Sequence, residues 1–364
     1  MNADIDPILD ESKFDAKLAQ LEKSRQWSPR VVSRLETLIR NGDDYALFRV
    51  NPVAYSKEKG MDEREAIDLF LYAAVNGIFQ MNWNLLCPGC TSVVESFSSL
   101  RNMDCHYHCE ICNLDFEAAL DDYIQISFTV SPDVRRISFH DPDSLADLEG
   151  VMKYRFAREG ITKKDGANWI EQVMPLVKFF SPLAPGEKAG FAGRISDGFV
   201  IINELLNHLG AGLKVGGQGG GDGGAVEVTI EPTYIEASRT TFSAGERAFE
   251  FHNKSPKKGL ITVMNLPPDY QQSLAIGFSP FLSGKRLLTS QTFRDLFNYE
   301  VVKGSESLGV KNIAILFTDL KGSTSLYERV GDLKAFSLVR QHFDVLQKVV
   351  SKNSGAIVKT IGDA

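Results

Sequence analysis

The sequence predicts a multidomain α+β protein, and three successive patterns along its 364 residues carry that prediction. Apolar residues recur at helical spacing up to about residue 82, and all five cysteines then fall between Cys87 and Cys112. From Tyr123 onward apolar and polar residues alternate, which is the period of a half-buried strand. With 43% hydrophobic residues, the chain can bury several cores.

These changes of pattern divide the chain into five predicted segments. They are a helical region at 1–82, a cysteine-rich module of the zinc-ribbon type at 83–122, a mostly antiparallel β-sandwich at 123–265 with a glycine-rich loop at 210–224, a connector at 266–308, and a partial α/β domain at 309–364. Helices and strands therefore occupy separate parts of the chain, as in the α+β class.

The charge and the apolar stretches exclude several classes of protein. Forty basic against 47 acidic residues give a net charge of −7, so we expect no nucleic-acid partner. The N-terminus, MNADIDPILDE, is acidic and lacks the apolar core of a secretory signal. The most apolar stretch, Leu69–Phe79, is shorter than the roughly 20 residues that a spanning helix needs. We therefore expect a cytoplasmic protein without a membrane segment.

The helical region at 1–82 is expected to contain about three helices. Phe14, Leu18 and Leu21 show the helical spacing of apolar residues, and Asp62 stands where a helix N-cap is favoured. A small helical bundle is the simplest interpretation. A winged-helix reader of nucleic acid is the alternative, but no basic recognition helix supports it.

Two CxxC motifs, CPGC and CEIC, are separated by eighteen residues. Each motif is a tight turn that directs two thiolates at one cation, and two such turns complete a tetrahedral zinc site. Cysteines clustered in a cytosolic chain favour a metal over disulfides. We predict one Zn²⁺ on Cys87, Cys90, Cys109 and Cys112.

Three further residues are alternative zinc ligands, namely Cys105, His106 and His108. The CxxC pairs are our first choice and a mixed set is the second. A site closed by four thiolates has no open coordination position for catalysis. A structural role is therefore favoured over a docking ribbon for protein or nucleic acid.

Short alternating runs at Tyr123–Val130, Val226–Ile230, Ala248–Phe251 and Leu260–Met264 predict the strands of the sandwich. Helices are expected to interrupt them around Asp143–Phe156 and Phe199–Leu209. Nine of the fifteen residues from Gly210 to Gly224 are glycine, without the Lys-Ser/Thr of a P-loop, so they predict a flexible loop. Ligand sensing and structural spacing fit this region equally well.

The connector at 266–308 contains one amphipathic pattern. Thr292, Phe293, Leu296 and Phe297 predict a short helix that couples the upstream region to the last segment.

The last segment begins with an apolar run, Ile313–Phe317, that predicts a buried strand and places Asp319 at its end. Gly322, Ser323 and Thr324 then open a helix, whose free N–H groups favour an anion, and Ser323 or Thr324 can cap it. A carboxylate for Mg²⁺ beside such a turn is the arrangement of a nucleoside-triphosphate site.

A long helix from about Asp332 and a second strand, Ala356–Ile361, complete this pattern. The strand leads to Asp363. Asp319 and Asp363 could therefore share a divalent cation.

The motifs FTDLKGST, YERVGD and GAIVKTIGDA resemble the opening of the catalytic domain of class III nucleotidyl cyclases. The resemblance implies an incomplete ferredoxin-like core and two Mg²⁺ or Mn²⁺ ions on Asp319, Asp363 and the carbonyl of Leu320. It places Gly322, Ser323 and Thr324 along the phosphates. The implied reaction converts ATP to cyclic AMP and diphosphate in a homodimer.

Lys359 bears on the choice of nucleotide. In the cyclases that this segment resembles, a lysine here accompanies the use of ATP and an acidic residue accompanies GTP. The resemblance therefore favours adenylate over guanylate cyclase activity.

Family members continue well beyond the length matched here and carry transition-state groups in that part. We therefore expect the 364-residue chain to be inactive by itself, with residues upstream of 309 as a regulatory region. The alternative is a zinc-ribbon and β-sandwich scaffold for partner binding or ligand sensing, with a degenerate cyclase half.

Overall fold

The structure is a computed structural model. It describes residues 9–99, 106–117, 119–120, 122–145, 147–216, 224–270, 275–297, 314–353 and 355–360. The mixed α+β class is confirmed, with helices and several antiparallel sheets in the described residues. None of the described helices is both long enough and apolar enough to cross a lipid bilayer.

Four helices occupy the described part of the N-terminal region, one more than the sequence pattern suggests. They are α1 (Glu11–Ser24), α2 (Val31–Asn41), α3 (Pro52–Lys59) and α4 (Glu63–Val75). Phe14 and Leu21 are fully buried, as their spacing predicts. The predicted cap is present, since the Asp62 carboxylate accepts a hydrogen bond from the Glu65 N–H at 3.0 Å.

The helices pack against a three-stranded antiparallel sheet instead of forming a bundle of their own. Its strands are β1 (Phe79–Leu86), β2 (Val93–Phe97) and β5 (Ile124–Val130), in the order β2-β1-β5. The ring of Phe70 on α4 lies 5.2 Å from Phe79 and 5.3 Å from Phe128. Helices and sheet therefore share one core.

Strand β5 differs from its expected place in the sandwich, because it pairs with β1 along its whole length. All seven of its residues are buried, including polar ones at the positions where alternation suggests a solvent face. The amide of Asn84 donates to Ser127 Oγ at 2.7 Å and to Gln125 Oε1 at 3.2 Å. A buried polar network thus replaces the expected solvent-facing side.

Beyond the cysteine hairpin, β3 (His106–Cys109) and β4 (Leu114–Glu117), come helix α5 (Leu148–Arg155), strand β6 (Gly160–Thr162) and helix α6 (Trp169–Val173). The predicted helix around 143–156 is therefore present in shortened form. Strand β6 pairs with β16 (Ile276–Phe278).

Residues 177–266 contain two larger sheets, which we call the two-sheet region. The strands are β7 (Val177–Leu183), β8 (Lys188–Ile195), β9 (Gly198–Glu204), β10 (Leu209–Val215), β11 (Val226–Ile230), β12 (Ile235–Ala237), β13 (Thr241–Phe242), β14 (Gly245–Asn253) and β15 (Gly259–Leu266). They form sheets of order β13-β10-β9-β15-β7 and β12-β11-β14-β8. Side chains from both sheets form a second apolar cluster, separate from the first core.

Two sequence expectations in this region are wrong. The helix expected near 199–209 is a β-hairpin, because Val200 and Ile202 alternate inward and β9 pairs with both β10 and β15. The glycine-rich loop expected from residue 210 is strand β10 as far as Val215, with Leu213 and Val215 buried. Residues 217–223 of that predicted loop lie outside the described residues.

The connector packs on the core that the N-terminal helices share with the β2-β1-β5 sheet. Its helices are α7 (Gly284–Leu288) and α8 (Gln291–Leu296), the second of which was predicted. Phe293 is 2% exposed, and its ring meets Trp83 edge-on at 6.2 Å. The Ile126 N–H donates to the Leu282 carbonyl at 2.7 Å. The connector therefore belongs to the same packed unit as α4 and β5.

The C-terminal segment contains the two predicted helices, α9 (Ser323–Val330) and α10 (Asp332–Lys352). The predicted strands are absent from the described residues 314–320 and 355–360, and Ile313 and Ile361 lie outside the description. Ile315, Leu316 and Phe317 are 73%, 82% and 90% exposed. A strand needs neighbours for its N–H and C=O groups, and the described chain provides none for this run.

Candidate metal centre and nucleotide site

The four CxxC cysteines come together at the ends of two strand pairs. Cys87 directly follows β1, and Cys109 is the last residue of β3. All four Sγ atoms lie within 4.8 Å of one another. The closest pairs are Cys87–Cys112 at 3.4 Å and Cys90–Cys109 at 3.6 Å.

The two CxxC turns share one local geometry. The residue after the second cysteine, Thr91 in one turn and Asn113 in the other, has a left-handed backbone with φ of 62° and 51°. The Gly89 N–H donates to Cys87 Sγ at 3.3 Å. A Cβ at Gly89 would stand 3.1 Å from Cys112 Sγ, so a small residue is needed where the turns approach.

This cluster has the size and chemistry of a zinc centre. Four sulfurs about 2.3 Å from a central Zn²⁺ would be separated by roughly 3.8 Å, close to the spacing seen here. Cys87, Cys90 and Cys109 are buried and Cys112 is exposed. Trp169 packs the centre from outside, since its indole N–H donates to the Cys90 carbonyl at 2.7 Å.

The four thiols of this cluster influence one another's pKa. Burial raises the pKa of Cys90, whereas hydrogen bonds from Cys112, Cys87 and Cys90 lower the pKa of Cys109. Four thiolates at these distances need a positive charge among them.

The alternative ligands have other partners or lie outside the description. His108 Nδ1 is 2.8 Å from Asp115 Oδ1, and this hydrogen bond raises the pKa of His108. The side chain of His106 is 77% exposed, and its Nδ1 lies 3.8 Å from Glu117. Cys105 lies outside the described residues. Within the described residues, the ligand cluster at this place consists of the four CxxC cysteines.

Sequence reasoning missed one residue at this centre. His208 Nε2 lies 3.4 Å from Cys109 Sγ, and its Nδ1 lies 3.2 Å from Arg155 Nη1. His208 follows β9 in the two-sheet region, 99 residues from Cys109. No local motif marks it, so only the fold reveals the contact.

The predicted nucleotide site lies at the start of α9. Asp319 is exposed, and Gly322 is the N-cap with a left-handed φ of 79°. Neither Ser323 nor Thr324 caps this helix through its side chain; Ser325 Oγ instead donates to the Gly322 carbonyl at 2.8 Å.

Two backbone groups with predicted roles in this turn bond to each other. The Ser323 N–H, expected to face phosphate, donates to the Leu320 carbonyl, expected to face a metal, at 3.2 Å.

A groove of about 760 Å³ lies between α9 and α10, beside the predicted phosphate turn. It is lined by Ser323, Thr324, Tyr327, Phe336, Val339, Arg340 and Phe343. Arg340 gives this otherwise mostly apolar lining one cation.

The second half of the predicted site is only partly described. Lys359 is exposed, and Asp363 lies outside the described residues. Two residues before Lys359, the Ile357 N–H donates to Gln291 Oε1 at 2.8 Å, which joins this segment to the start of α8.

Comparisons with known families give two matches that cover most of the chain. Residues 11–295 match a family described as "Family of unknown function (DUF5939)". Residues 306–364 match the "Adenylate and Guanylate cyclase catalytic domain". Neither a curated protein nor a solved structure gave a match.

The second match agrees with the motif resemblance and covers Asp319, Lys359 and Asp363. The first match runs across the helical region, the cysteine centre, the two-sheet region and the connector. The chain therefore belongs to the family of unknown function DUF5939, and it carries part of an adenylate/guanylate cyclase catalytic domain after that region.

Proposed function

We propose that this protein is an adenylate cyclase that converts ATP to cyclic AMP and diphosphate, with residues 11–295 as its regulatory region. The observation that carries the proposal is the cyclase match at 306–364, which includes both predicted metal-binding aspartates. A homodimer through the cyclase segment and a cytoplasmic location complete the proposal.

Asp319 and Asp363 are the proposed ligands of two Mg²⁺ or Mn²⁺ ions, with the Leu320 carbonyl as a further ligand. Such ions lower the pKa of a ribose hydroxyl and neutralise charge on the transferring phosphoryl group. The exposed Asp319 stands three residues before the N-cap of α9, so a carboxylate and a helix N-terminus are neighbours. That is the donor set a metal–triphosphate complex requires.

Binding in this proposal requires one local change. The Ser323 N–H must leave the Leu320 carbonyl so that the amide can meet a phosphate and the carbonyl a metal. The exposed Ile315, Leu316 and Phe317 would be covered at the same time by further cyclase strands. Burial of about three apolar side chains is worth several kcal/mol, enough to drive the rearrangement of one hydrogen bond.

Lys359 is the proposed adenine-reading residue. It is exposed and lies four residues before Asp363 in KTIGD, so a nucleotide held at the metals could place its base near this side chain. A lysine donates hydrogen bonds only, and an adenine ring nitrogen can accept one.

The cysteine cluster is the proposed site of one structural Zn²⁺, held by Cys87, Cys90, Cys109 and Cys112. The sulfur spacing and the burial of three ligands support this assignment. A closed centre of this kind stabilises the fold of its region and takes no part in chemistry.

The test measures cyclic AMP and cyclic GMP made from ATP and GTP, with Mn²⁺ or Mg²⁺, by a protein in which residues 1–364 are continued by the remaining part of a cyclase catalytic domain. We expect cyclic AMP from the wild type and at least a 100-fold loss in Asp319→Ala, the scale on which catalytic groups act. Asp344→Ala, at an exposed acid on α10, is the matched control and should keep full activity.

Two outcomes would change the proposal. Undiminished product from Asp319→Ala would overturn the metal assignment. No product from either nucleotide under any of these conditions would favour the scaffold alternative instead. Lys359→Glu, which exchanges a donor for an acceptor, should shift preference from ATP toward GTP.

A further inference from the structure

His208 connects the cysteine centre to the two-sheet region. It lies in the turn between β9 and β10, with a left-handed φ of 61°, and its ring stands between a cysteine sulfur and an arginine. The two ring nitrogens make one contact each, at 3.4 Å to Cys109 and 3.2 Å to Arg155. A side chain held at both nitrogens has a defined orientation.

The arginine decides which nitrogen of His208 carries the proton. A guanidinium only donates hydrogen bonds, so Nδ1 facing Arg155 must be the unprotonated acceptor. The ring proton is then on Nε2, which faces Cys109 Sγ. The sulfur therefore accepts an N–H···S hydrogen bond, as a metal-bound thiolate does.

Contacts other than those of the ring fix the internal conformation of the turn that carries His208. Glu204 is fully buried, and its carboxylate accepts from the backbone N–H groups of Leu206, Asn207 and Leu260 at 2.8–2.9 Å. Arg155 also donates to the carbonyls of Leu205 and Leu206, both at 2.7 Å. His208 is thus presented by a preformed turn.

The second CxxC turn lies directly against Gly210 of strand β10, the strand that follows the His208 turn. A Cβ at Gly210 would stand 2.5 Å from the Ile111 carbonyl and 2.7 Å from that of Glu110. Both carbonyls belong to residues between Cys109 and Cys112. Glycine at 210 therefore permits the close approach that brings His208 to the sulfur.

We propose that His208 is a positioning residue of the zinc centre, whose Nε2–H stabilises the Cys109 thiolate, and that metal binding thereby holds the turn at 204–210 against the second CxxC turn. The inference rests on the proposed zinc site. Four thiolates on Zn²⁺ carry a net charge of −2, and donors around such a centre stabilise that charge. Arg155 lies behind His208 and adds a cation.

The test compares His208→Gln with His208→Met in the full chain loaded with Zn²⁺. The two side chains have similar length, but only glutamine offers an N–H donor. Competition against a chromogenic chelator should show about 10–100-fold weaker zinc binding in His208→Met, with His208→Gln near wild type. His252→Met, in the same region on β14, is the matched control and should bind like wild type.

Cobalt gives a readout that a loss of packing alone would not produce. With Co²⁺ in place of zinc, loss of the hydrogen bond raises the energy of the sulfur lone pair. The sulfur-to-metal charge-transfer band should then move to longer wavelength in His208→Met but not in His208→Gln. Equal zinc affinity in both variants and wild type, or equal weakening in both, would overturn the proposal.

The wild-type protein alone provides a further check that no folding defect can obscure. Nitrogen-15 NMR of the zinc-loaded chain labelled at histidine should show His208 protonated at Nε2, and protonation at Nδ1 instead would overturn the proposal. If the wild type binds no zinc at all, the metal assignment fails first. That result is distinguishable from the case in which the wild type and the His208 variants all bind zinc equally well, which would overturn only the role of His208.

Discussion

The cysteine centre and the cyclase segment differ in how much of each site the described chain assembles. The centre brings four sulfurs within 4.8 Å, buries three of the cysteines and adds His208 from a distant turn. In the cyclase segment, Asp319 is exposed and Phe317 is 90% exposed. The cysteine site thus forms from two tight turns, each closed within its own motif. The cyclase site lies at the edge of a predicted sheet and can form only when that sheet is present.

The two regions also differ in their packing. One apolar core joins the N-terminal helices, the β2-β1-β5 sheet and the connector, so residues far apart in sequence stabilise each other. On α10, by contrast, Ala335 and Val339 are buried while Phe336 is 61% exposed. We therefore expect substitutions to affect stability strongly in the first region and weakly in the second.

The largest expected effect comes from breaking the cysteine centre. Cys109→Ser should lower the zinc content from about one per chain and the free energy of unfolding by more than about 4 kcal/mol, since a lost metal is among the most destabilising changes known. Metal analysis and urea denaturation measure the two quantities. Cys105→Ser, at the one cysteine outside the two CxxC motifs, is the control. A loss of zinc there would support the mixed ligand set instead.

The next effect comes from the apolar core. Phe70 is fully buried between Phe79 and Phe128, so Phe70→Ala should cost about 3–5 kcal/mol. Phe336→Ala on α10 should cost less than about 1 kcal/mol, since most of that ring is already exposed. Equal losses in urea denaturation would contradict the contrast between the regions.

The connector gives an intermediate effect. Phe293→Ala on α8 should cost about 2–4 kcal/mol, because the ring packs on Trp83 in the first core. A loss below about 1 kcal/mol would instead make the connector a loosely attached linker. Leu338→Ala, at a position 41% exposed on α10, serves as the comparison.

The smallest expected effect is a pH dependence from Glu159. Burial raises the pKa of this carboxyl, which accepts a hydrogen bond from Gln125 at 2.6 Å. Its contribution to stability is complete below the unfolded pKa of about 4.3 and is lost as the pH rises through the higher folded value. Glu159→Gln should therefore flatten the fall in unfolding free energy as the pH rises above about 4.

Urea titrations of wild type and Glu159→Gln across that range measure this slope. The exposed Glu58→Gln is the control. An unchanged slope in Glu159→Gln would show that another group carries the pH dependence.

The sequence predicts the cysteine quartet well because its geometry is local, with each CxxC closing its own turn. It predicts helices α9 and α10 for the same reason. It fails for His208, whose role depends on a tertiary contact across 99 residues. It also misplaces β5, because Ser127 and Gln125 look solvent-facing by alternation but hydrogen-bond inside the core.

In the cyclase segment, the sequence predicts the chemistry better than it predicts the structure. Its motifs predict chemistry and residues, yet the exposed run at 314–317 does not form the predicted strand. Burial there depends on neighbouring strands, which no local pattern supplies. At the cyclase site, the family resemblance therefore predicts more than the pattern of apolar and polar residues does. At the cysteine centre, the residue pattern predicts more than family resemblance does.

The most direct test of this contrast is amide hydrogen exchange on the zinc-loaded chain of 364 residues. Our account predicts that amides of β1 and β5 are protected to the level of global unfolding, while those of α9 and α10 exchange faster by at least about 100-fold. Equal protection in the two regions would contradict it, since the cyclase segment would then be as firmly built as the core around the cysteine centre.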